Sequence, residues 1–179
     1  DGQQSSVITA LTGKSMLVGI QGYAGVGKTH LLQYVNKVAE ENGYTVQGLS
    51  SSRKAVAEMS KFLPYSETID ARLARGQSKF LHNPKKTILI VDEASMASND
   101  QMVRLLNYAQ KTKISRVVLV GDVKQIDSIT AGTPFDLLQK KGMPTAYASD
   151  IVRQRSGELK DAILHTIKSE IKDAFAKLD

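Results

Sequence analysis

The 179-residue sequence predicts an α/β fold, a parallel sheet with helices on both faces. Three observations predict it. Short apolar runs such as Ile88-Leu89-Ile90-Val91 and Val117-Val118-Leu119-Val120 lack polar alternation, as strands buried on both faces do. Segments with helical spacing of apolar residues separate them. The first apolar run also leads straight into a glycine-rich turn followed by a helical pattern.

Taken in order, residues 16–21 read as a buried strand. A helix over 30–41 follows, with Leu31, Leu32, Tyr34, Val35 and Val38 on one side and Asn42-Gly43 as its stop. Residues 44–49 form a second strand and 53–62 a second helix. His82-Asn83-Pro84 marks the entry to a third strand over 87–91. Residues 99–110 form a helix capped by Ser98 or Asn99, and 116–120 a fourth strand. Near the end, Leu159, Ala162, Ile163, Ile167, Ile171, Ala174, Phe175 and Leu178 make one amphipathic stripe. The expected organisation is one domain over 1–155. A terminal helix over 156–179 packs on it or leads to a further domain.

Composition narrows the function. Hydrophobic residues at 41% and charged residues at 23% are ordinary for a globular domain and argue against disorder. A chain of this length buries roughly 70% of its unfolded surface. The absence of cysteine excludes disulfides, a thiol nucleophile and a thiolate zinc site, and fits a reducing compartment. His30, His82 and His165 are scattered and match no metal-binding spacing. No apolar run approaches the ~20 residues of a membrane helix, so no membrane insertion is expected. The chain starts at Asp1 and is expected to derive from a longer protein.

The net charge of +6 permits a nucleic-acid partner, and it is unevenly spread. Between residues 53 and 86, Arg53, Lys54, Lys61, Arg72, Arg75, Lys79, Lys85 and Lys86 face only Glu58, Glu67 and Asp70. The stretch reads either as a binding track or as a solvated basic face. Phe62, Tyr65 and Phe80 within it are candidate stacking residues, with core placement as the competing expectation.

Gly22-Tyr23-Ala24-Gly25-Val26-Gly27-Lys28-Thr29 fits G-x-x-x-x-G-K-[ST] at every fixed position, with a strand before and a helix after. Glycines let the backbone curl so that its amides face phosphate oxygens, and the helix start adds partial positive charge. In this motif Lys28 reaches the β- and γ-phosphates of ATP and Thr29 places its hydroxyl on Mg²⁺. Some 60 residues later, a strand delivers Asp92 and Glu93 at its carboxyl end, where parallel sheets carry their sites. Asp92 suits Mg²⁺, and Glu93 suits the attacking water. Val118–Gln125 ends another strand in polar groups, either a γ-phosphate sensor at Gln125 or a plain strand-to-turn transition.

The ordered set GYAGVGKTH, LSSSRKAV, ILIVDEASM, VVLVGDVKQIDSITAGTPF and IVRQR resembles the first RecA-like domain of RecD-like superfamily-one helicases. The nearest likeness is to the helicase region of TraI/TrwC-type conjugative relaxases, and it spans residues 3 to about 178. The resemblance implies a P-loop NTPase of RecA-like architecture, an ATP- and Mg²⁺-dependent motor of a 5′-to-3′ single-stranded DNA helicase in the bacterial cytoplasm. It implies nucleotide contacts at Gln3 and along Gly22, Tyr23, Ala24, Gly25, Val26, Gly27, Lys28, Thr29 and His30. Catalytic roles fall to Lys28, Glu93, Gln125 and Arg153, and metal to Thr29 and Asp92. Gln125 couples nucleotide state to DNA, and Arg153 touches the γ-phosphate when two motor domains close. DNA contacts fall to Ser51, Ser52, Arg53 and Lys54, where the family usually carries a Pro-Thr pair in place of Ser51-Ser52.

The implied partners are single-stranded DNA, a second RecA-like domain and a relaxase domain. Relaxase chemistry uses a tyrosine beside a three-histidine metal site, a set that this sequence does not contain. An isolated first domain is expected to hydrolyse ATP slowly, because the closing domain supplies part of the site. The alternatives are a RecD-like nuclease subunit or other repair helicase, and a nucleotide- and DNA-binding module without turnover.

Overall fold

The computed structural model describes residues 15–22, 28–75, 83–123 and 133–147. They form a six-stranded, all-parallel sheet in the order β3-β2-β4-β5-β1-β6. The strands are β1 Leu17–Gln21, β2 Thr45–Ser50, β3 Ser66–Thr68, β4 Thr87–Asp92, β5 Arg116–Gly121 and β6 Thr145–Tyr147. The helices are α1 Lys28–Glu41, α2 Arg53–Met59, α3 Ile69–Arg75, α4 Asn99–Thr112 and α5 Pro134–Lys140. Short 3-10 turns sit at Pro84–Lys86 and Ala94–Met96. The predicted α/β class and the four predicted strands are present, each within one residue of its expected ends. The helix predicted over 53–62 stops at Met59, where Ser60 caps it.

Strand alternation splits the core into two layers. Val18, Ile20, Val46, Ile88, Ile90, Val118 and Val120 pack under Leu32, Val35 and Ala39 of α1 and Met59 of α2. Their neighbours Leu89, Val91, Val117 and Leu119 face Ile69 of α3, Met102, Leu105 and Ala109 of α4, and Phe135 of α5. Crossover handedness explains the split. From β1 to β2 to β3 the chain moves towards one edge of the sheet; from β3 through β4 and β5 to β6 it moves back. Right-handed crossovers in opposite directions put their helices on opposite faces.

Local chemistry fixes the helix ends. Gly43 takes φ +76°, and Tyr44 N–H donates to Ala39 C=O, closing α1 as the Asn42-Gly43 stop predicts. Ser98 caps α4, accepting from Gln101 N–H at 3.2 Å while the Gln101 side chain accepts from Ser98 N–H at 3.1 Å.

At the end of β5, Gly121 lies against the Ala94–Met96 turn and the ring of Phe135. A Cβ there would stand 3.0 Å from Ser95 N and 3.1 Å from Phe135 Cδ1. Gly121→Ala should therefore lower the unfolding free energy by about 1–3 kcal/mol, read from the urea midpoint. An unchanged midpoint would show that this contact relaxes freely.

Candidate active site

Parallel pairing brings the carboxyl ends of β2, β4, β5 and β1 into one row. Ser50 is in register with Asp92, and Gln21 with Gly121. β5 lies between β4 and β1, so the two strands that end in the predicted carboxylates and the predicted phosphate loop are about 10 Å apart. Ligands of open α/β sheets sit at this edge.

At the end of β4, Asp92 and the following Glu93 are both half-buried. Asp92 Oδ1 accepts from the backbone N–H of Glu93 at 2.9 Å. Glu93 has φ 53° and ψ 36°, a left-handed conformation that costs a non-glycine residue roughly 1 kcal/mol or more. Its carbonyl accepts from Met96 N–H at 2.8 Å, so the 3-10 turn holds the strained residue in place. The strand thus turns sharply at the second carboxylate.

Between β5 and β1 lies a buried polar lattice. Gln21 and Asp122 are 4% and 3% exposed. Gln21 Nε2 donates to Asp122 Oδ1 at 3.3 Å, while Gln21 Oε1 accepts from Val123 N–H at 3.4 Å and Gln139 Nε2 at 3.3 Å. Asp122 N–H donates to Ser95 Oγ at 3.3 Å, and Gly22 N–H to Gly121 C=O at 3.0 Å. Lys28, Thr29 and His30 open α1, and Thr29 is exposed.

Beside Asp92, β2 runs into Ser51, Ser52, Arg53 and Lys54. Ser52 Oγ accepts from Ala55 N–H at 3.0 Å and caps α2. Arg53 and Lys54 are exposed at the same row of strand ends.

The whole chain, residues 1–179, matches the AAA domain family. The chain belongs to that family. Among its relatives, the multifunctional conjugation protein TraI of Escherichia coli K12 is 30% identical over 99% of this chain and 10% of its own length. The conjugal transfer protein TraA of Rhizobium radiobacter is 29% identical over 97% of this chain and 16% of its own. The ATP-dependent RecD2 DNA helicase of Deinococcus radiodurans is 31% identical over 85% of this chain and 21% of its own. This AAA domain thus spans between 10% and 21% of the length of these relatives. The resemblance to the RecD-like and TraI-type family is borne out at this level, as is the RecA-like sheet.

The structure of the AAA domain brings Gly22, the start of α1, Asp92, Glu93 and Ser51–Lys54 to one edge. Gln3, Tyr23, Ala24, Gly25, Val26, Gly27, Gln125 and Arg153 lie outside the described residues, as do the terminal helix over 156–179, Lys79 and Phe80. Sequence reasoning missed Gln21, Ser95 and Gln139. The one available signal was a glutamine closing an otherwise apolar strand. Among the described residues no helix is long and apolar enough to cross a membrane.

The basic stretch does not form one track. Arg72 is buried and pairs with Glu67 at 2.6 Å, and Arg75 reaches the same carboxylate at 3.2 Å. Lys61 pairs with Glu58 on the surface. Lys85 and Lys86 precede β4, at the opposite end of the sheet from Asp92, and Lys86 lies 4.8 Å from the Tyr44 ring centroid. Phe62 packs against the core, whereas Tyr65 is 56% exposed, against the core expectation.

Burial pushes the Tyr108 phenol above its ordinary pKa, with Arg72 pulling the other way. It pushes the buried Arg116 guanidinium down, with Tyr44 opposing. Arg72→Leu should cost about 3–5 kcal/mol in urea unfolding, because it strands part of a buried carboxylate. Arg75→Leu, at a half-exposed guanidinium, should cost about 1 kcal/mol or less. Equal costs would overturn the structural role assigned to Arg72.

Proposed function

We propose that this domain binds ATP with Mg²⁺ at the carboxyl edge of its sheet and hydrolyses it as the motor of a 5′-to-3′ single-stranded DNA helicase. The protein concerned would be a bacterial, cytoplasmic conjugative DNA-transfer protein. One observation carries the reading: the ends of β1, β4 and β5 bring the entry to α1, the Asp92-Glu93 pair and Gly121-Asp122 side by side. The relatedness to TraI and TraA supports the conjugative setting.

The residues fit the chemistry. A threonine hydroxyl at the start of α1 and a half-buried carboxylate at the end of β4 are hard oxygen donors of the kind that Mg²⁺ takes beside phosphate oxygens. Thr29 and Asp92 would hold the ion, which neutralises charge on the β- and γ-phosphates. Lys28 pairs with the same phosphates. Glu93, turned out of the strand by its left-handed backbone, orients the attacking water and takes its proton. Gln125 senses the γ-phosphate and Arg153 stabilises its developing charge, the latter when a second RecA-like domain closes. Ser51, Ser52, Arg53 and Lys54 bind the phosphodiester backbone of single-stranded DNA beside the hydrolytic edge. A relaxase domain of the same protein would supply the DNA-nicking chemistry.

The similarity to the RecD2 helicase favours a second reading, a repair helicase using the same edge without a relaxase partner. An upstream domain carrying a catalytic tyrosine and a histidine metal site would decide for the first.

In the full-length protein, Lys28→Ala should abolish ATP hydrolysis stimulated by single-stranded DNA. Glu93→Gln should lower kcat by about 10²–10⁴-fold while leaving nucleotide binding in place. Stimulated turnover at the unmodified rate in either variant would refute the mechanism. Arg53→Ala and Lys54→Ala should each weaken DNA binding and flatten its salt dependence by about one ion, measured by anisotropy at several salt concentrations.

A further inference from the structure

Two buried polar side chains at the carboxyl edge have no part in the chemistry above. Gln21 is the last residue of β1, and Asp122 directly follows β5. The inward positions behind them are apolar, Val18 and Ile20 on β1 and Val117 to Val120 on β5. Burying a carboxylate and an amide there costs free energy unless both are hydrogen-bonded, and an apolar pair of similar volume would hold two strands together as well. The need for a polar pair lies elsewhere.

Its connections are specific. One Gln21 side chain ties Asp122, the Val123 backbone and Gln139 of α5. Asp122 is tied by its own N–H to Ser95, two residues beyond the strained Glu93. The lattice therefore joins the entry to the phosphate loop, the turn that holds Glu93, and the segment that leads from Val123 towards Gln125. A movement of any one of these relative to the others strains a bond of this lattice, and the Gln21–Asp122 bond is the one that ties the end of β1 to the end of β5 by side chains.

We propose that Gln21 and Asp122 are positioning residues that hold the three strand ends in one arrangement and transmit nucleotide state between them, so that DNA-stimulated hydrolysis depends on their hydrogen bond. The inference rests on the motor function proposed above. Both side chains are closed to solvent, and their assigned role is to position the strand ends.

The test is a polarity swap in the full-length protein. Gln21→Glu sets two carboxylates against each other. It should lower kcat in the presence of an oligothymidylate by about tenfold, within the usual range of coupling between sites. KM for ATP should move by less than about threefold. Adding Asp122→Asn restores one amide and one carboxylate with the bond reversed. The double variant should recover most of the lost kcat.

Stimulated kcat unchanged in Gln21→Glu, or a folded double variant no better than the single, overturns the proposal while leaving the motor function intact. If Gln21→Glu does not fold in a thermal melt, Gln21→Met, which keeps volume and removes the donor to Asp122, should lose part of the stimulation. Full stimulation in that variant overturns the proposal. If the unmodified protein shows no DNA-stimulated hydrolysis, the motor reading itself falls, and this inference with it.

Discussion

The constraint on which the molecule depends is that its parallel sheet is covered on both faces. From Ile88 to Val91 on β4 and from Val117 to Val120 on β5, every residue is apolar and closed to water. A sheet built this way leaves its strand ends as the place where polar side chains can act. Crossover geometry then decides which ends meet. Because β5 is threaded between β4 and β1, residues about 70 apart in sequence, Gln21 and Asp92, end up two strands apart.

Much of this was legible in the sequence because burial on both faces leaves a plain signature. Unbroken runs such as Ile88–Val91 can be little else, and their carboxyl termini name the candidate residues. The elements that the sequence hid are short or polar. β3 is only Ser66-Glu67-Thr68, without an apolar residue, and it exists because its backbone pairs with Gly48–Ser50. β6, Thr145-Ala146-Tyr147, is held by pairing with Gly19–Gln21. Helices α3 and α5 have seven residues each, as does α2, and at that length a periodic pattern is a weak signal: it found α2 and overran its end, and it did not show the other two.

Charge was less legible than hydrophobicity, for a physical reason. A run of basic residues in sequence says nothing about which end of a strand each one reaches. Residues 53–54 follow β2 whereas 85–86 precede β4, and because the two strands are parallel the pairs emerge at opposite ends of the sheet. Arg72 emerges nowhere, because Glu67 on the adjacent strand offers it a buried partner. What survives as a candidate DNA surface is the short piece beside Asp92, where the topology, and not the local charge density, puts Arg53 and Lys54.

The same logic separates two kinds of residue at the edge. Asp92 and Glu93 are half-open and announced by a motif. Gln21, Ser95 and Asp122 are closed over, and their partners lie on other elements, so the sequence does not show what each of them bonds. Glu93 shows why both kinds are needed. Its left-handed backbone is unfavourable by itself and persists because the following turn, with Ser95 bonded to Asp122, is fastened to the neighbouring strand. A half-buried carboxylate at a strand end thus draws its geometry from a buried lattice whose bonds run between strands.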